Sequence, residues 1–468
     1  DEAHHLESAT TDALTFSVTQ NDISRTLKEL GGVTSGVLGA LMAALKDVVR
    51  PSDHAALLPE MSRVTDLAFR VEGDFKRFFQ AISEFLESIR EGQSVGKYGQ
   101  QTRIIAATRT MPEWENIEIQ WASTQESLNL LISRTNQVTK SIADLASGAT
   151  DKIEDSQTFL GSLLRRFVEV EANLNAWVAE PDARQIYWTE VKPVNMNISI
   201  QVAPLEIGSL MEQYLWHEKT SVILTSATLA AGGEFSYLRA RLNADEASEM
   251  VVGSPFDYEN SALLYLVNDI AEPNDTVNFQ RTSEHLLPRL GKATGGRMLV
   301  LFTSYDQLKR TSKAITPILN KEDILVFEQG EGASSATLLE TFRSTDRAVL
   351  LGTRSFWEGV DIVGEALSVL VIVKLPFDVP SDPIVAARSE TFDDPFSEYN
   401  LPEAILRFRQ GFGRLIRTQS DRGLVVVLDK RILSKKYGKA FIESLPDCTK
   451  RTGSTAELPE VASIWLNL

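Results

Sequence analysis

The stretch Ala348-Val349-Leu350-Leu351-Gly352-Thr353 decides the fold. A short aliphatic run ends at a glycine and a hydroxyl residue, which is the pattern of a buried strand that leads into a loop. Similar runs recur along the chain at Val222-Ile223-Leu224, Met298-Leu299-Val300-Leu301-Phe302, Ile324-Leu325-Val326-Phe327, Val369-Leu370-Val371-Ile372-Val373 and Leu424-Val425-Val426-Val427-Leu428. Because helical patterns separate these runs, we predict an α/β fold whose parallel sheet is covered by helices on both faces.

The region before residue 190 has a different pattern. Apolar residues recur there at helical spacing from about 21 to 180, as in Leu67, Ala68, Val71, Phe75 and Phe78. Gly92 to Thr110 is rich in Gly and Gln and is predicted to be a loop. From about 185 apolar and polar residues alternate, which predicts strands. The region from about residue 21 to 190 is therefore predicted to be a helical bundle with long hairpins, followed by strands.

Composition limits the classes of function. The net charge is −17, which argues against indiscriminate coating of duplex DNA, although a local basic groove is compatible with it. No apolar run approaches the roughly 20 residues of a membrane span, so no membrane partner is expected. The single cysteine, Cys448, excludes an internal disulfide and a four-cysteine iron–sulfur site within this chain, and it fits a reducing cytoplasm.

The first four residues, Asp1-Glu2-Ala3-His4, form an acidic box. In nucleoside triphosphatases such an Asp holds Mg²⁺ and the adjacent Glu polarises the attacking water, so Asp1 and Glu2 are candidate metal ligands and catalytic residues, with His4 beside the nucleotide. The alternative is a solvated helix start. No G-x-x-x-x-G-K-[ST] phosphate loop occurs in the sequence, and we expect it to lie upstream in a longer protein.

Two hydroxyl-rich segments follow predicted strands. In Leu224-Thr225-Ser226-Ala227-Thr228-Leu229, Ser226 and Thr228 are candidates for relaying the phosphate state to a nucleic-acid site. In Leu301-Phe302-Thr303-Ser304-Tyr305, Thr303 and Ser304 are candidates for contacting the phosphates of a DNA backbone. For both segments the alternative interpretation is the capping of the next helix.

The segment Gly352-Thr353-Arg354-Ser355-Phe356-Trp357-Glu358-Gly359-Val360-Asp361 combines glycines, a hydroxyl and aromatic rings. Thr353 is a candidate for a backbone phosphate, and Phe356 and Trp357 are candidates for stacking on bases. Gly359 and Asp361 are assigned to the nucleotide side. Buried packing is the alternative for the two aromatic residues.

Near the other end lies Gln410-Gly411-Phe412-Gly413-Arg414-Leu415-Ile416-Arg417, predicted to continue a helix that starts after Pro402. Arg414 and Arg417 are three residues apart and would share one helical face, where they suit a triphosphate. Gln410 and Gly413 are assigned to the same nucleotide site. The alternative is a solvated basic face.

In this order the segments resemble the superfamily 2 helicases of the XPD/DinG type, across essentially the whole chain and most strongly over residues 348–436. Leu375-Pro376-Phe377-Asp378-Val379-Pro380, Asp421-Arg422-Gly423 and Gly253-Ser254-Pro255-Phe256 are closer to DinG. The resemblance implies ATP and Mg²⁺ as cofactors and 5′-to-3′ movement on single-stranded DNA. Forked or RNA-paired DNA, in a repair setting at the bacterial nucleoid, would be the substrate.

The resemblance also implies a division into domains. Residues 1–20 and 191–258 would form part of a first RecA-like lobe, 21–190 an arch-like helical insertion, and 259–468 a second RecA-like lobe. The upstream part of the first lobe is an expected partner, and the chain alone is expected to be inactive. An iron–sulfur domain, if the intact protein has one, would lie upstream. Two alternatives stay open: the helicase-like region of a DinG-type nuclease, and a single-stranded-DNA-binding module without turnover.

Overall fold

The chain forms two compact units. The computed structural model describes residues 1–96, 99–145, 151–193, 195–230, 234–330, 332–357, 366–419 and 421–468. One unit, here called the sheet unit, contains Asp1–Glu7, Gly208–Pro380 and Arg388–Leu468. The other, the helical unit, contains Ser8–Ile207 and Ser381–Ala387.

Eleven strands and nineteen α-helices are described. The strands are β1 Phe16–Thr19, β2 Gln100–Arg103, β3 Gln185–Val191, β4 Ile198–Pro204, β5 Ala262–Val267, β6 Met298–Leu301, β7 Leu325–Glu328, β8 Ala348–Gly352, β9 Val369–Ile372, β10 Gly423–Val427 and β11 Thr449–Gly453. The helices are α1 Leu6–Leu14, α2 Gln20–Leu30, α3 Gly36–Leu45, α4 Pro51–Arg90, α5 Ala106–Arg109, α6 Trp114–Leu145, α7 Asp151–Val178, α8 Gly208–Met211, α9 Ser236–Leu242, α10 Tyr258–Ser261, α11 Thr276–Ala293, α12 Tyr305–Leu319, α13 Ser335–Arg343, α14 Arg354–Trp357, α15 Pro383–Ser389, α16 Leu401–Phe412, α17 Arg431–Ser434, α18 Gly438–Glu443 and α19 Leu458–Leu466.

The sheet unit is built on seven parallel strands in the order β11, β5, β10, β9, β6, β8 and β7. Successive residues of a strand belong to different hydrophobic cores, one on each face of the sheet. Leu264 packs with α13, α16 and α18, whereas Leu263 packs with α11, α12 and α19. Burial on both faces explains why these strands are aliphatic throughout. The predicted α/β fold with a parallel sheet is confirmed.

One predicted strand is wrong. Val222, Ile223 and Leu224 form no strand, and the side chain of Ile223 is 82% exposed. An aliphatic run becomes a strand only beside a hydrogen-bonding neighbour, and none of the described strands pairs with this segment.

The helical unit is dominated by α4, α6 and α7, which have 40, 32 and 28 residues. Trp114 contacts Phe85 and Trp177, with ring centroids 5.1 and 5.0 Å apart, and this cluster fills the space between the three helices. An antiparallel sheet in the order β1, β4, β3, β2 completes the unit. It includes β2 inside the stretch that was predicted to be a loop. Among the described residues, no helix is long and apolar enough to cross a membrane.

The predicted three-part division stays a prediction. The two units do not correspond to it one to one, because β3 and β4 lie in the same unit as the helical bundle. The sheet unit nevertheless unites the acidic box with the segment that contains Ser226 and with all seven parallel strands.

A buried carboxylate connects two helices of the helical unit and gives a test of its stability. Asp74 is 2% exposed, accepts a hydrogen bond of 2.6 Å from Ser127 Oγ and pairs with Arg77. Asp74→Ala should lower the free energy of unfolding by about 1–3 kcal/mol, because a buried hydroxyl loses its acceptor and a cavity forms. Asp66→Ala on the exposed face of the same helix is the control. Urea unfolding followed by tryptophan fluorescence measures both, and equal effects would contradict the role of Asp74.

Candidate active site

The acidic box lies against the first hydroxyl-rich segment, although the two are 224 residues apart. Asp1 Oδ1 accepts a hydrogen bond of 3.0 Å from Thr225 Oγ1, and Glu2 Oε2 accepts one of 3.1 Å from Ser226 Oγ. The backbone N–H of Ala3 donates to the carbonyl oxygen of Thr225 at 2.9 Å. The structure therefore brings together two segments whose proximity the sequence alone does not require.

A series of side-chain contacts through hydroxyl groups connects the acidic box with α16. Ser226 Oγ lies 2.7 Å from His4 Nδ1 and 3.5 Å from Thr228 Oγ1. Thr228 Oγ1 in turn accepts a hydrogen bond of 3.3 Å from Gln410 Nε2. These contacts from Glu2 through Ser226 and Thr228 to Gln410, here called the hydroxyl path, have separations of 3.1, 3.5 and 3.3 Å, so the link between Ser226 and Thr228 is the weakest. Ser226 and Thr228 were predicted to be coupling residues. They lie between the acidic box and the segment Gln410 to Arg417, here called the arginine-containing segment.

Gln410 has an unsatisfied acceptor at this point. Its side chain is 8% exposed, and Oε1 finds no hydrogen-bond partner within the described part of the chain. A buried polar atom without a partner is unfavourable by about 1–3 kcal/mol, so it usually marks a place where a ligand or water binds. This fits the assignment of Gln410 to the nucleotide site.

The arginine-containing segment departs from the prediction. α16 ends at Phe412 with Gly413 as its C-cap, and Arg414 and Arg417 follow in a turn and a loop. They therefore do not share a helical face. Glycine favours helix ends, and the loop beyond it is fixed by Asp421, whose Oδ2 accepts hydrogen bonds of 2.8 Å from the backbone N–H groups of Arg417 and Thr418.

The structure also corrects the assignment of the two aromatic residues. Phe356 is 0% exposed and Trp357 is 2% exposed, and both belong to the core on one face of the parallel sheet. Rings with no open face cannot stack on bases, so packing, the alternative interpretation, describes them. Trp357 lies over Gly411, where a Cβ would come within 3.0 Å of its ring. The ring thereby fixes the approach of α16 to the sheet.

Three hydroxyl residues predicted to bind DNA lie at the carboxyl ends of parallel strands. Thr303 follows β6 and is exposed. Ser304 caps α12, accepting a hydrogen bond of 3.4 Å from the backbone N–H of Gln307. Thr353 follows β8 and donates to Gln329 Oε1 at 2.8 Å from both its backbone N–H and its hydroxyl. Capping is therefore part of the role of Ser304, and the carboxyl edge is where such folds bind ligands.

The remaining predicted residues are Gly359, Asp361 and Gly413. Gly359 and Asp361 lie outside the described residues. Gly413 is half-buried where α16 ends, directly before Arg414.

The donor set of the acidic box suits Mg²⁺. This cation usually takes one or two carboxylates from the protein and fills its other positions with water and substrate phosphates. Asp1 and Glu2 are both exposed and supply two carboxylates side by side. Among the described residues, no group of three or more His, Cys, Asp or Glu side chains could hold a metal by itself. Two exposed carboxylates are the number that such a magnesium site takes from the protein.

Comparison with known proteins agrees with the geometry. Residues 287–448 match the helicase C-terminal domain family. The chain is 28% identical to "3'-5' exonuclease DinG" of Bacillus subtilis over 98% of this chain and 50% of that protein. It is 34% identical to "ATP-dependent DNA helicase YoaA" of Haemophilus influenzae over 63% of this chain and 46% of that protein. The structure of S. tokodaii Xpd4 aligns with 97% of this chain and 75% of its own, with a TM-score of 0.51 and 17% identity, which supports the fold.

The chain contains a helicase C-terminal domain and is similar to proteins named DinG and YoaA. It spans about half the length of the curated relatives named above.

Sequence reasoning missed several residues near the site. Arg409 Nη1 donates to the carbonyl oxygen of Ala230, and burial lowers the pKa of its guanidinium. Glu7, Tyr237 and Glu403 belong to a set of partly buried polar contacts around the same elements. No local pattern identifies these residues, because each partner is distant in sequence.

Proposed function

We propose that this chain is the part of an ATP-dependent 5′-to-3′ DNA helicase that supplies the magnesium carboxylates and the arginines, and that the full-length protein moves along single-stranded DNA in the bacterial cytoplasm. The hydroxyl path from Glu2 to Gln410 carries the proposal. It joins a candidate water-activating carboxylate to the helix that precedes two arginines, as a motor driven by phosphate chemistry needs.

The predicted catalytic and coupling residues have defined roles in this proposal. Asp1 and Glu2 hold Mg²⁺, which would supply charge neutralisation at the β- and γ-phosphates, and Glu2 also orients the attacking water. Arg414 and Arg417 stabilise the charge that develops on the γ-phosphate. Ser226 carries the change in phosphate state onward to Thr228.

The nucleic-acid side uses residues at the carboxyl edge of the parallel sheet. Thr303, Ser304 and Thr353 offer hydroxyl and backbone donors, which suit phosphates and carry no base specificity. Forked or RNA-paired DNA with a free single strand is the proposed substrate. We retain the division into a first lobe of 1–20 and 191–258, an insertion of 21–190 and a second lobe of 259–468 as part of this proposal.

ATP hydrolysis by the full-length protein, with and without single-stranded DNA, tests the proposal. We expect DNA to raise kcat at least about tenfold, because the strand and the nucleotide are coupled through the same elements. Duplexes with a 5′ or a 3′ single-stranded tail then test direction, and the 5′-tailed substrate should be the one unwound. Turnover that ignores DNA would contradict the motor.

A nuclease is the second candidate, favoured by the name of the B. subtilis relative that matches 98% of this chain. A metal-dependent nuclease assay on the full-length protein distinguishes it from the helicase. The third candidate is a binding module: the chain would bind single strands in a salt-sensitive way, and the full-length protein would not hydrolyse ATP.

A further inference from the structure

A short helix, α9, connects the acidic box to the arginine-containing segment by a second route. Tyr237 and Arg241 are four residues apart on this helix and therefore lie on the same side. Tyr237 Oη donates a hydrogen bond of 2.7 Å to Glu403 Oε1 on α16. Arg241 pairs with Glu7 on α1, three residues after His4.

Glu7 is held by two arginines. Arg241 Nε donates to Glu7 Oε2 at 3.1 Å, and Arg388 Nη1 lies 2.8 Å from Glu7 Oε1. The three side chains are largely buried, with exposures of 14% for Glu7, 7% for Arg241 and 6% for Arg388. A buried carboxylate with two charge-assisted partners is fixed in direction, so the start of α1 is fixed relative to α9.

Glu403 is the corresponding acid on α16. Besides the contact with Tyr237, its Oε2 lies 3.4 Å from Arg407 Nη2, and Arg407 also pairs with Asp378 at 2.6 Å. Within the described part of the chain, the carboxylates of Glu7, Glu403 and Asp378 each lie against at least one of the guanidinium groups of Arg241, Arg388 and Arg407. Removing one member would leave a poorly solvated charge without its partner.

The contact at Glu403 adds a second attachment for α16. From Glu403 to Gln410 the helix makes about two turns, or roughly 10 Å. Gln410 is held at the far end by Thr228, and Glu403 is held at the near end by Tyr237. A rigid helix attached at two points has a fixed direction, and the turn that carries Arg414 begins directly at its end.

We propose that Tyr237 and Glu403, together with Glu7, Arg241 and Arg388, are positioning residues that hold α16 so that its following arginines face the nucleotide bound at the acidic box. This inference rests on the proposed ATPase function. The residues act through α1 and α16 and touch no substrate themselves.

The electrostatics favour a positioning role over a stabilising one. Burial raises the pKa of the Glu403 carboxyl; Glu7 and Asp378 raise it further, whereas Arg407 and the hydrogen bond from Tyr237 oppose the shift. A raised pKa in the folded state means that the ionised form is less favourable there than in the unfolded chain. The contribution of Glu403 to stability is therefore present at acidic pH and lost as the pH rises through the folded-state pKa.

The test compares Tyr237→Phe, Glu403→Leu, which removes the acceptor of the Tyr237 hydroxyl, and the double variant in the full-length protein. Each should lower kcat of the DNA-stimulated ATPase about tenfold while KM for ATP stays within about twofold, since alignment is lost and not binding. The double variant should be no slower than the slower single variant, because both remove one contact. Tyr214→Phe, at a tyrosine that is 60% exposed, is the matched control and should leave kcat unchanged.

The outcomes are separable. Unchanged kcat in Tyr237→Phe and Glu403→Leu would overturn the inference while leaving the helicase intact. A fall in kcat that follows a fall in melting temperature in both variants would show a structural role and would also overturn it. If Tyr237→Phe does not fold, Glu403→Leu decides alone. A wild-type protein without ATPase activity would instead refute the proposed function.

Discussion

Arg417→Ala in the full-length protein is expected to lower kcat for ATP hydrolysis by about 10³–10⁵-fold while ATP affinity stays within about tenfold. In the proposed function the guanidinium stabilises charge that develops on the γ-phosphate in the transition state, so its loss should affect turnover far more than ground-state binding. The backbone of this residue is fixed by Asp421, so the alanine side chain should leave the loop in place.

Steady-state ATPase kinetics and equilibrium binding of a fluorescent ATP analogue measure the two quantities separately. Arg417→Lys keeps the charge but loses the planar fork, and we expect an intermediate rate. Arg281→Ala, at an exposed arginine of α11, is the matched control. If Arg417→Ala hydrolyses ATP at the wild-type rate, Arg417 is not part of the catalytic site.

Glu2→Gln is expected to lower kcat by about 10²–10⁴-fold and to leave ATP binding nearly unchanged. The amide keeps the shape of the side chain and its contact with Ser226 Oγ, 3.1 Å from Glu2 Oε2, but it cannot accept the proton of the attacking water. The variant should therefore accumulate in the ATP-bound state and retain nucleotide-dependent binding of single-stranded DNA.

Single-turnover hydrolysis and DNA binding in the presence of ATP check this expectation. Glu218→Gln, which removes an exposed carboxylate elsewhere in the sheet unit, controls for the change in net charge. If Glu2→Gln hydrolyses ATP as fast as the wild type, a different residue activates the water, and the acidic box is limited to binding Mg²⁺.

The parallel sheet could be predicted because a strand buried on both faces must be aliphatic, as β8, β9 and β10 are. β11 gave no such signal: its sequence is Thr-Lys-Arg-Thr-Gly, because an edge strand is exposed on one side. The run around Ile223 was predicted to be a strand and is not one, because an aliphatic pattern does not indicate whether a neighbouring strand is present.

The candidate site was predictable where its chemistry is local. Neighbouring carboxylates such as Asp1 and Glu2 can be recognised from their own segment. The end of α16 had a usable signal in Gly413, whose preference for helix ends outweighs the helical pattern of the arginines. The contact between Tyr237 and Glu403 could not be predicted, because its partners lie 166 residues apart and only the folded sheet unit brings them together.

The position of β5 in the sheet has a consequence for synthesis on the ribosome. β5 ends at Val267, yet its two neighbours are β10 and β11, and β11 begins only at Thr449. Because the ribosome adds about 5–20 residues per second, β5 is synthesised on the order of 10–40 s before its second neighbouring strand. The core of the helical bundle, by contrast, uses residues from Val18 to Val202 and can close while translation continues. During this interval one edge of β5 is open to aggregation. A chain that ends before β11 would leave that edge of β5 without its neighbour.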